Sequence, residues 1–126
     1  MFSIIVERRF HADHALRFPD GTAEPLHGHE WVVRVHVART DSGLDDLECV
    51  VDFHDIEREL DDVLTLWRGQ SLNEIEPFVS KVNPTAERVA EQIAKSLNLS
   101  TDLRLQRVEV TEAEGCIAVF ERSPLR

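Results

Sequence analysis

Two stretches near the N-terminus alternate apolar and polar residues, and they cover residues 2–12 and 30–39. Because successive side chains of a β-strand point to opposite faces, this alternation predicts two strands that each bury one face. On the second strand it places His36 on the exposed face. The residues between the strands, 17–28, are rich in Pro, Gly and Asp, and we expect them to form a loop.

Two later stretches repeat apolar residues every three or four positions, which is the spacing of one face of a helix. The first covers residues 54–67, and the second follows Asn83-Pro84. This pair suits the start of a helix, because Asn caps the first turn and Pro fits within it. The apolar positions are Ile56, Leu60, Val63, Leu64 and Trp67 in the first helix, and Ala86, Val89, Ala90, Ile93 and Leu97 in the second.

Alternation returns at residues 104–112 and 116–122, which the short turn Ala113-Glu114-Gly115 joins. The element order is therefore ββααββ. This order predicts an α+β fold, with a four-stranded antiparallel sheet and two helices packed on one face. The length of 126 residues fits a single domain over residues 1–126, and we see no repeat or linker.

Composition narrows the classes of partner. The formal net charge of −10 argues against nucleic acid, since a phosphate-binding face needs clustered Lys and Arg. No apolar run approaches the length of a membrane span, and the first residues lack the basic start of a signal peptide. We therefore expect a cytoplasmic protein with no membrane partner. Cys49 and Cys116 have no metal-type spacing, and we expect free thiols.

Three histidines, His14, His27 and His29, are the leading candidates for chemistry. Residues i and i+2 of a strand point to the same face, so His27 and His29 can reach one point. A third imidazole from His14 on a neighbouring strand would complete a site with an open fourth position, the pattern of catalytic zinc. The alternative is that the His-Gly-His pair is a chance, exposed arrangement, and the histidines alone leave both interpretations open.

Two carboxylates are candidates for ligand binding or for acid–base catalysis beside these histidines. Glu112 continues the inward phase of Val108 and Val110, and a buried carboxylate needs a partner or a ligand. Such a group can accept two N–H bonds from the edge of a guanidine-like ring; the alternative is a frayed strand end. Glu24 lies three residues before His27 and could act as a general acid or base, or be an exposed loop residue.

Thr85 and Glu87 lie in the first turn of the second predicted helix. Free backbone N–H groups and the helix dipole favour such residues there, so helix capping explains both without a ligand. The other histidines, His11, His36 and His54, have no spacing partner that defines a site.

Six segments, in this order along the chain, together resemble the 6-pyruvoyl-tetrahydropterin synthase family, which includes 6-carboxy-tetrahydropterin synthase. The segments are Phe10-His11-Ala12-Asp13-His14, Leu26-His27-Gly28-His29, Val50-Val51-Asp52-Phe53, Leu72-Asn73, Asn83-Pro84-Thr85-Ala86-Glu87 and Thr111-Glu112, with Ala118 and Phe120 beyond.

The resemblance implies the tunnelling fold, in which ββααββ subunits form trimeric barrels that usually stack into hexamers. It also implies zinc as cofactor and a dihydropterin, such as 7,8-dihydroneopterin triphosphate, as substrate. The residues that it implies are His14, His27 and His29 for zinc, Glu112 for the pterin ring edge, and Thr85 and Glu87 for the lining of that pocket.

The chain also departs from the family pattern. Ala23 stands where family members place a catalytic Cys, and Arg68-Gly69 stands where they place an Asp-His pair. One branch of the family resembles this loop more closely: there a Glu near the Cys position accompanies cleavage of the side chain to 6-hydroxymethyl-dihydropterin, which makes Glu24 the candidate proton acceptor. The resemblance thus favours a zinc-dependent lyase. The alternatives are a catalytically lapsed pterin-binding protein, or a 6-carboxy-tetrahydropterin synthase-like enzyme of queuosine biosynthesis.

Overall fold

The structure is a computed structural model that describes residues 1–122. Its strands and helices follow the predicted order ββααββ. A short 3-10 turn, which is too brief to leave a periodic pattern, lies between the helices. The elements are β1 (Ile4–His14), β2 (His27–Arg39), α1 (Phe53–Thr65), the 3-10 turn (Leu72–Glu74), α2 (Ala86–Ser96), β3 (Leu103–Ala113) and β4 (Cys116–Glu121).

The four strands form one antiparallel sheet in the order β1-β2-β3-β4. Helix α1 packs over β1, and α2 packs over β3 and β4. Asp52 caps α1 by accepting a hydrogen bond from the His54 backbone N–H, and Thr85 caps α2 in the same way from Arg88. The predicted α+β architecture, with both helices on one face of the sheet, is confirmed.

The core lies between the helices and one face of the sheet. The apolar sets predicted for the two helices are buried or partly buried there. From the sheet, the fully buried side chains include Phe10, Trp31, Val33, Val35 and Val108. The alternation of β2 therefore gives the correct inward face.

Strands β1 and β2 both extend further into the loop that connects them than the alternation predicts. β1 continues to His14 rather than ending at residue 12, and β2 begins at His27 rather than at residue 30. The reason is backbone pairing: His14 lies opposite His27, and Ala12 lies opposite His29. A ladder of N–H and C=O groups continues through polar residues that carry no hydrophobic signal.

The expected exposure of His36 is wrong. Its side chain is 7% exposed on the sheet face opposite the helices, and its Nε2 lies 2.5 Å from Glu109 Oε2. Arg34 and Arg107 are close enough to influence its charge. Burial lowers the pKa of His36, and the Glu109 carboxylate opposes that shift. Alternation assigns a residue to a face but does not show whether long neighbouring side chains will cover it.

Two other expectations concern the surface. Cys49 and Cys116 are free thiols, as predicted, and the structure shows that both are exposed. Within residues 1–122, none of the helices has the length and apolar character needed to span a membrane.

Replacing Trp31 by phenylalanine is expected to lower the free energy of unfolding by about 1 kcal/mol more than the matched change Trp67→Phe. Both indoles are nearly fully buried and pack against Phe10. Trp31 Nε1 also donates a hydrogen bond of 3.1 Å to the Ala12 carbonyl oxygen, so its variant loses that bond as well as ring atoms. Urea unfolding of both variants measures the difference, and equal losses would contradict a contribution from this hydrogen bond.

Candidate metal centre

Three imidazoles converge where β1 and β2 meet. His14 ends β1, and His27 and His29 open β2 on the same face. Their ring centroids are 4.7 to 4.9 Å apart, and one nitrogen from each ring lies within 4.8 Å of the other two. The structure thus brings together the three histidines that the sequence singled out, in an arrangement that could hold a metal ion.

Backbone carbonyls orient two of these rings. His14 Nδ1 lies 2.7 Å from the Pro84 carbonyl oxygen, and His27 Nδ1 lies 2.9 Å from that of Pro25. Because a carbonyl only accepts, each Nδ1 must carry the proton and donate it. In the neutral form of each ring, this tautomer has its lone pair on Nε2, the arrangement of a metal-ligating histidine whose other nitrogen is held by a backbone carbonyl.

The remaining nitrogens fit a metal. Nε2 of His14 and Nε2 of His29 are buried and have no hydrogen-bond partner among the described residues. Burial lowers the pKa of His29; Glu112 opposes this shift, while His14 and His27 reinforce it. A neutral imidazole is the form that binds metal, so these conditions suit a cation with nitrogen ligands.

The cluster has a closed side and an open side. Its floor is Trp31, whose ring lies 4.9 Å from that of His14 and 5.4 Å from that of His29. Side-chain exposure rises from 1% for His14 to 21% for His29 and 40% for His27. A ligand would therefore approach from the His27 side.

Glu112 lies directly beside the cluster. Its Oε1 is 3.3 Å from His14 Nε2 and 3.9 Å from His29 Nε2, and its side chain is 33% exposed. Strand β3 continues to Ala113, so the strand does not fray before Glu112. The inward phase predicted for this carboxylate is what the structure has.

A cavity of about 270 Å³ adjoins Glu112. Glu87 lines it, but Thr85 does not; the Thr85 hydroxyl accepts the Arg88 N–H as the cap of α2. Cys116 also lines it, although its position in the sequence gave no link to the histidines. Larger cavities of about 600 and 590 Å³ lie at the other end of the sheet, and none of the three histidines lines them.

Glu24 is held on the exposed side of the cluster. Its Oε1 accepts a hydrogen bond of 3.0 Å from the Leu16 N–H and lies 3.8 Å from His27 Nε2. Its side chain is 28% exposed, so it is less open to solvent than an ordinary loop glutamate. The structure therefore places this carboxylate next to the most accessible of the three imidazoles.

The other histidines lie elsewhere. His54 is exposed and pairs with Glu57 at 2.6 Å. His11 is on the opposite face of β1, where its Nε2 lies 3.5 Å from Asp13 Oδ1. It lies over Gly28, where a Cβ atom would come within 2.6 Å of Asp13 Oδ1 and 2.9 Å of the His11 ring, so a larger residue there would require both exposed side chains to move.

The segment Arg68-Gly69 forms hydrogen bonds to the backbone of β1 and does not contact the histidine cluster. Arg68 Nη1 donates a hydrogen bond of 2.6 Å to the Arg9 carbonyl oxygen, and the Gly69 N–H donates one of 2.8 Å to that of His11.

Sequence reasoning missed the carbonyls of Pro25 and Pro84, which orient the rings of His27 and His14. No sequence signal identifies them, because every residue has a carbonyl.

The chain belongs to the 6-pyruvoyl tetrahydropterin synthase family, whose model matches residues 3–123. Family membership and fold together support a lyase of the tetrahydropterin synthase type. None of the proteins with curated descriptions matches the sequence significantly.

Solved structures share the fold at low sequence identity. The 6-pyruvoyl tetrahydropterin synthase of Caenorhabditis elegans is 21% identical, with a TM-score of 0.72 and coverage of 98% of both chains. That of Plasmodium falciparum is 16% identical, with a TM-score of 0.72 and coverage of 96% of this chain and 97% of the other. A Plasmodium vivax 6-pyruvoyltetrahydropterin synthase, studied as a glutamate-to-alanine catalytic residue mutant, is 16% identical, with a TM-score of 0.68 and coverage of 97% and 98%.

Proposed function

We propose that this protein is a zinc-dependent lyase that acts on the C6 side chain of 7,8-dihydroneopterin triphosphate or a related dihydropterin. The hydroxymethyl-dihydropterin-forming reaction is the one that its residues suit best. The observation that carries the proposal is the convergence of three imidazoles, two of them fixed in the ligating tautomer by carbonyls, between the carboxylates of Glu24 and Glu112.

His14, His27 and His29 would hold the zinc. When bound, zinc supplies a Lewis acid that polarises the side-chain oxygens of the substrate. Three neutral nitrogen ligands leave a coordination position open for the substrate, as catalytic sites do. The open side at His27 gives the substrate a path to this position.

Glu112 would bind the pterin ring. Its carboxylate faces the cavity that Glu87 also lines, and an ionised carboxylate can accept two N–H groups from the aminopyrimidinone edge. The ring would then occupy the cavity with its side chain directed toward the histidines. Thr85 does not line the cavity, and it would act on the pocket by capping α2, the helix that carries Glu87.

Glu24 would act as the proton acceptor. Cleavage begins when a base takes the proton from the hydroxyl on the second side-chain carbon. The bond between the first and second carbons then breaks, the second carbon becomes an aldehyde, and the first carbon takes up a proton. This leaves 6-hydroxymethyl-dihydropterin. The glutamate replaced in the Plasmodium vivax catalytic residue mutant supports a glutamate in such a role.

We also propose that the protein works as a homo-oligomer, a trimer or a hexamer. Strands β1 and β4 form the two edges of the sheet, and each has one side that is unpaired within residues 1–122. Ile117 and Val119 are exposed on β4. Open edges with exposed apolar residues favour pairing with another chain.

Incubation of the purified protein with 7,8-dihydroneopterin triphosphate, followed by mass analysis of the pterin, tests the proposed reaction. We expect 6-hydroxymethyl-dihydropterin, with a two-carbon aldehyde that carries the triphosphate as the second product. A pyruvoyl or carboxy product would keep the lyase class but refute the proposed cleavage. Binding without any product would favour a pterin-binding protein that has lost catalysis.

Replacing Glu112 by alanine is expected to weaken dihydropterin binding by at least about thirtyfold, because breaking a buried charged pair costs about 2–5 kcal/mol. Titration calorimetry with a dihydropterin measures the change, and Glu114→Ala, at an exposed carboxylate in the next turn, is the matched control. Zinc content should not change. Loss of zinc from the Glu112 variant would identify this residue as a metal ligand instead.

A further inference from the structure

The three residues that follow β1 belong to no β-strand, apart from one isolated bridge, yet all their backbone N–H and C=O groups form hydrogen bonds. They are Ala15, Leu16 and Arg17. Buried backbone groups need partners, so the source of these hydrogen bonds shows what holds the segment. Two asparagine side chains and Glu24 supply all of them.

Each asparagine binds one residue of the segment twice. Asn73 Oδ1 accepts from the Ala15 N–H at 2.8 Å, and its Nδ2 donates to the Ala15 carbonyl oxygen at 2.8 Å. Asn83 makes the same pair with Arg17, at 2.8 and 2.9 Å. A carboxamide has the donor and the acceptor of a peptide group, so each asparagine takes the place of a neighbouring strand.

Leu16 faces the other way and binds Glu24. Its carbonyl oxygen accepts from the Glu24 N–H at 3.0 Å, and its own N–H donates to Glu24 Oε1 at 3.0 Å. In an extended segment, the backbone groups of successive residues point to opposite sides. Fixing Ala15 and Arg17 from one side therefore aims the Leu16 groups at Glu24.

We propose that Asn73 and Asn83 are positioning residues that hold the Glu24 carboxylate beside His27. The clamp formed by the two side chains fixes Ala15–Arg17, and this segment fixes both the backbone and the carboxylate of Glu24. The consequence for turnover rests on the proposed function, in which Glu24 accepts a proton; the placement of Glu24 does not.

The location of Asn83 ties this clamp to the histidine cluster. Asn83 directly precedes Pro84, whose carbonyl holds His14 Nδ1. The same short segment therefore sets the tautomer of one histidine and the position of Glu24. Arg17 adds a second contact to it, since its Nη2 donates to the Val82 carbonyl oxygen at 2.8 Å.

The test compares Asn73→Ala and Asn83→Ala with the control Asn98→Ala, at an exposed asparagine on the loop after α2. Hydrogen exchange of the metal-free protein measures the stability of the clamp directly. In the Asn73 and Asn83 variants, the amides of Leu16 and Glu24 should exchange at least about tenfold faster than in the control, and the exchange of the β2 amides should not change. In the zinc-loaded protein, kcat should fall about tenfold to a hundredfold, with KM and zinc content within about twofold, because small misplacements of a reacting group cost this much.

A double-mutant comparison separates positioning from a general loss of structure. In a Glu24→Gln background, the same asparagine changes should lower the residual kcat by less than about twofold, because no carboxylate is left to place. Equal losses in both backgrounds would overturn the proposal, as would unchanged exchange at Leu16 and Glu24, or faster exchange with unchanged kcat.

Two further experiments cover a variant that does not fold and an unaltered protein that shows no turnover. If an alanine variant does not fold, Asn83→Asp replaces it: this side chain can still accept from Arg17 but cannot donate to it, and the same exchange and kcat criteria apply. If the unaltered protein shows no turnover, the proposed function fails, and exchange at Leu16 and Glu24 alone decides whether the clamp exists.

Discussion

Replacing Glu24 by glutamine is expected to lower kcat by about 10² to 10⁴, the range that general acid–base catalysis contributes. Glutamine has the same size, and its carbonyl oxygen can still accept the Leu16 N–H that binds Glu24 Oε1. It cannot take a proton, so the loss should appear in kcat rather than in KM. Turnover of the dihydropterin, followed by mass analysis of the product, measures the change.

The control for this experiment is Glu30→Gln. Glu30 follows His29 directly, but its carboxylate is exposed and lies 3.9 Å from His11 Nδ1, on the side of the sheet away from the cluster. It should not change kcat. Zinc content should be the same in both variants. Undiminished turnover by Glu24→Gln would remove Glu24 from the mechanism, while the histidine cluster could still bind metal.

Replacing His27 by alanine is expected to reduce zinc affinity by about 10² or more. Four-ligand zinc sites in peptides bind with about 10–16 kcal/mol, so one ligand contributes roughly 3 kcal/mol. His27 is the best ligand to remove, because its side chain is 40% exposed and its loss disturbs the core least. Elemental analysis should find about one zinc per chain in the unaltered protein and far less in this variant.

The matched control is His11→Ala, whose side chain is 59% exposed on the other face of β1. It should keep its zinc. Removing zinc from the unaltered protein with a chelator should lower its melting temperature, since a ligand that binds only the folded state stabilises it. The same treatment should not affect the His27 variant. Equal zinc content in the two histidine variants would argue against the cluster as the metal site.

The predicted fold was confirmed because its signals are local. Apolar spacing of two or of three to four residues reports the face that each strand or helix buries, and this gave β1 to β4, both helices and their order. Strand alternation was also enough to put His27 and His29 on one face. Pairing of β1 with β2 brings His14 opposite His27, on the neighbouring strand from which a third imidazole was expected.

The limits of the sequence appear where a residue depends on neighbours that are distant along the chain. His36 lies on the predicted face but is buried by Glu109 and its surroundings. Thr85 and Glu87 looked equivalent, yet only Glu87 lines the cavity next to Glu112. Asn73 had no predicted role, and Asn83 was predicted to cap the second helix, whose cap is Thr85 instead. Both asparagines bind backbone groups 58 and 66 positions away, which no local pattern shows.

By itself, then, the sequence determined the fold class, the inward faces and the three histidines, since periodicity and short spacing are written in neighbouring residues. Only the tertiary structure decided which histidine nitrogens are free, because that depends on the carbonyls of Pro25 and Pro84. It also decided that Glu112 lies 3.3 Å from His14 and that Glu24 is held beside His27. Hydrogen-bond partners of this kind are set by strand register and loop path, which no local pattern encodes.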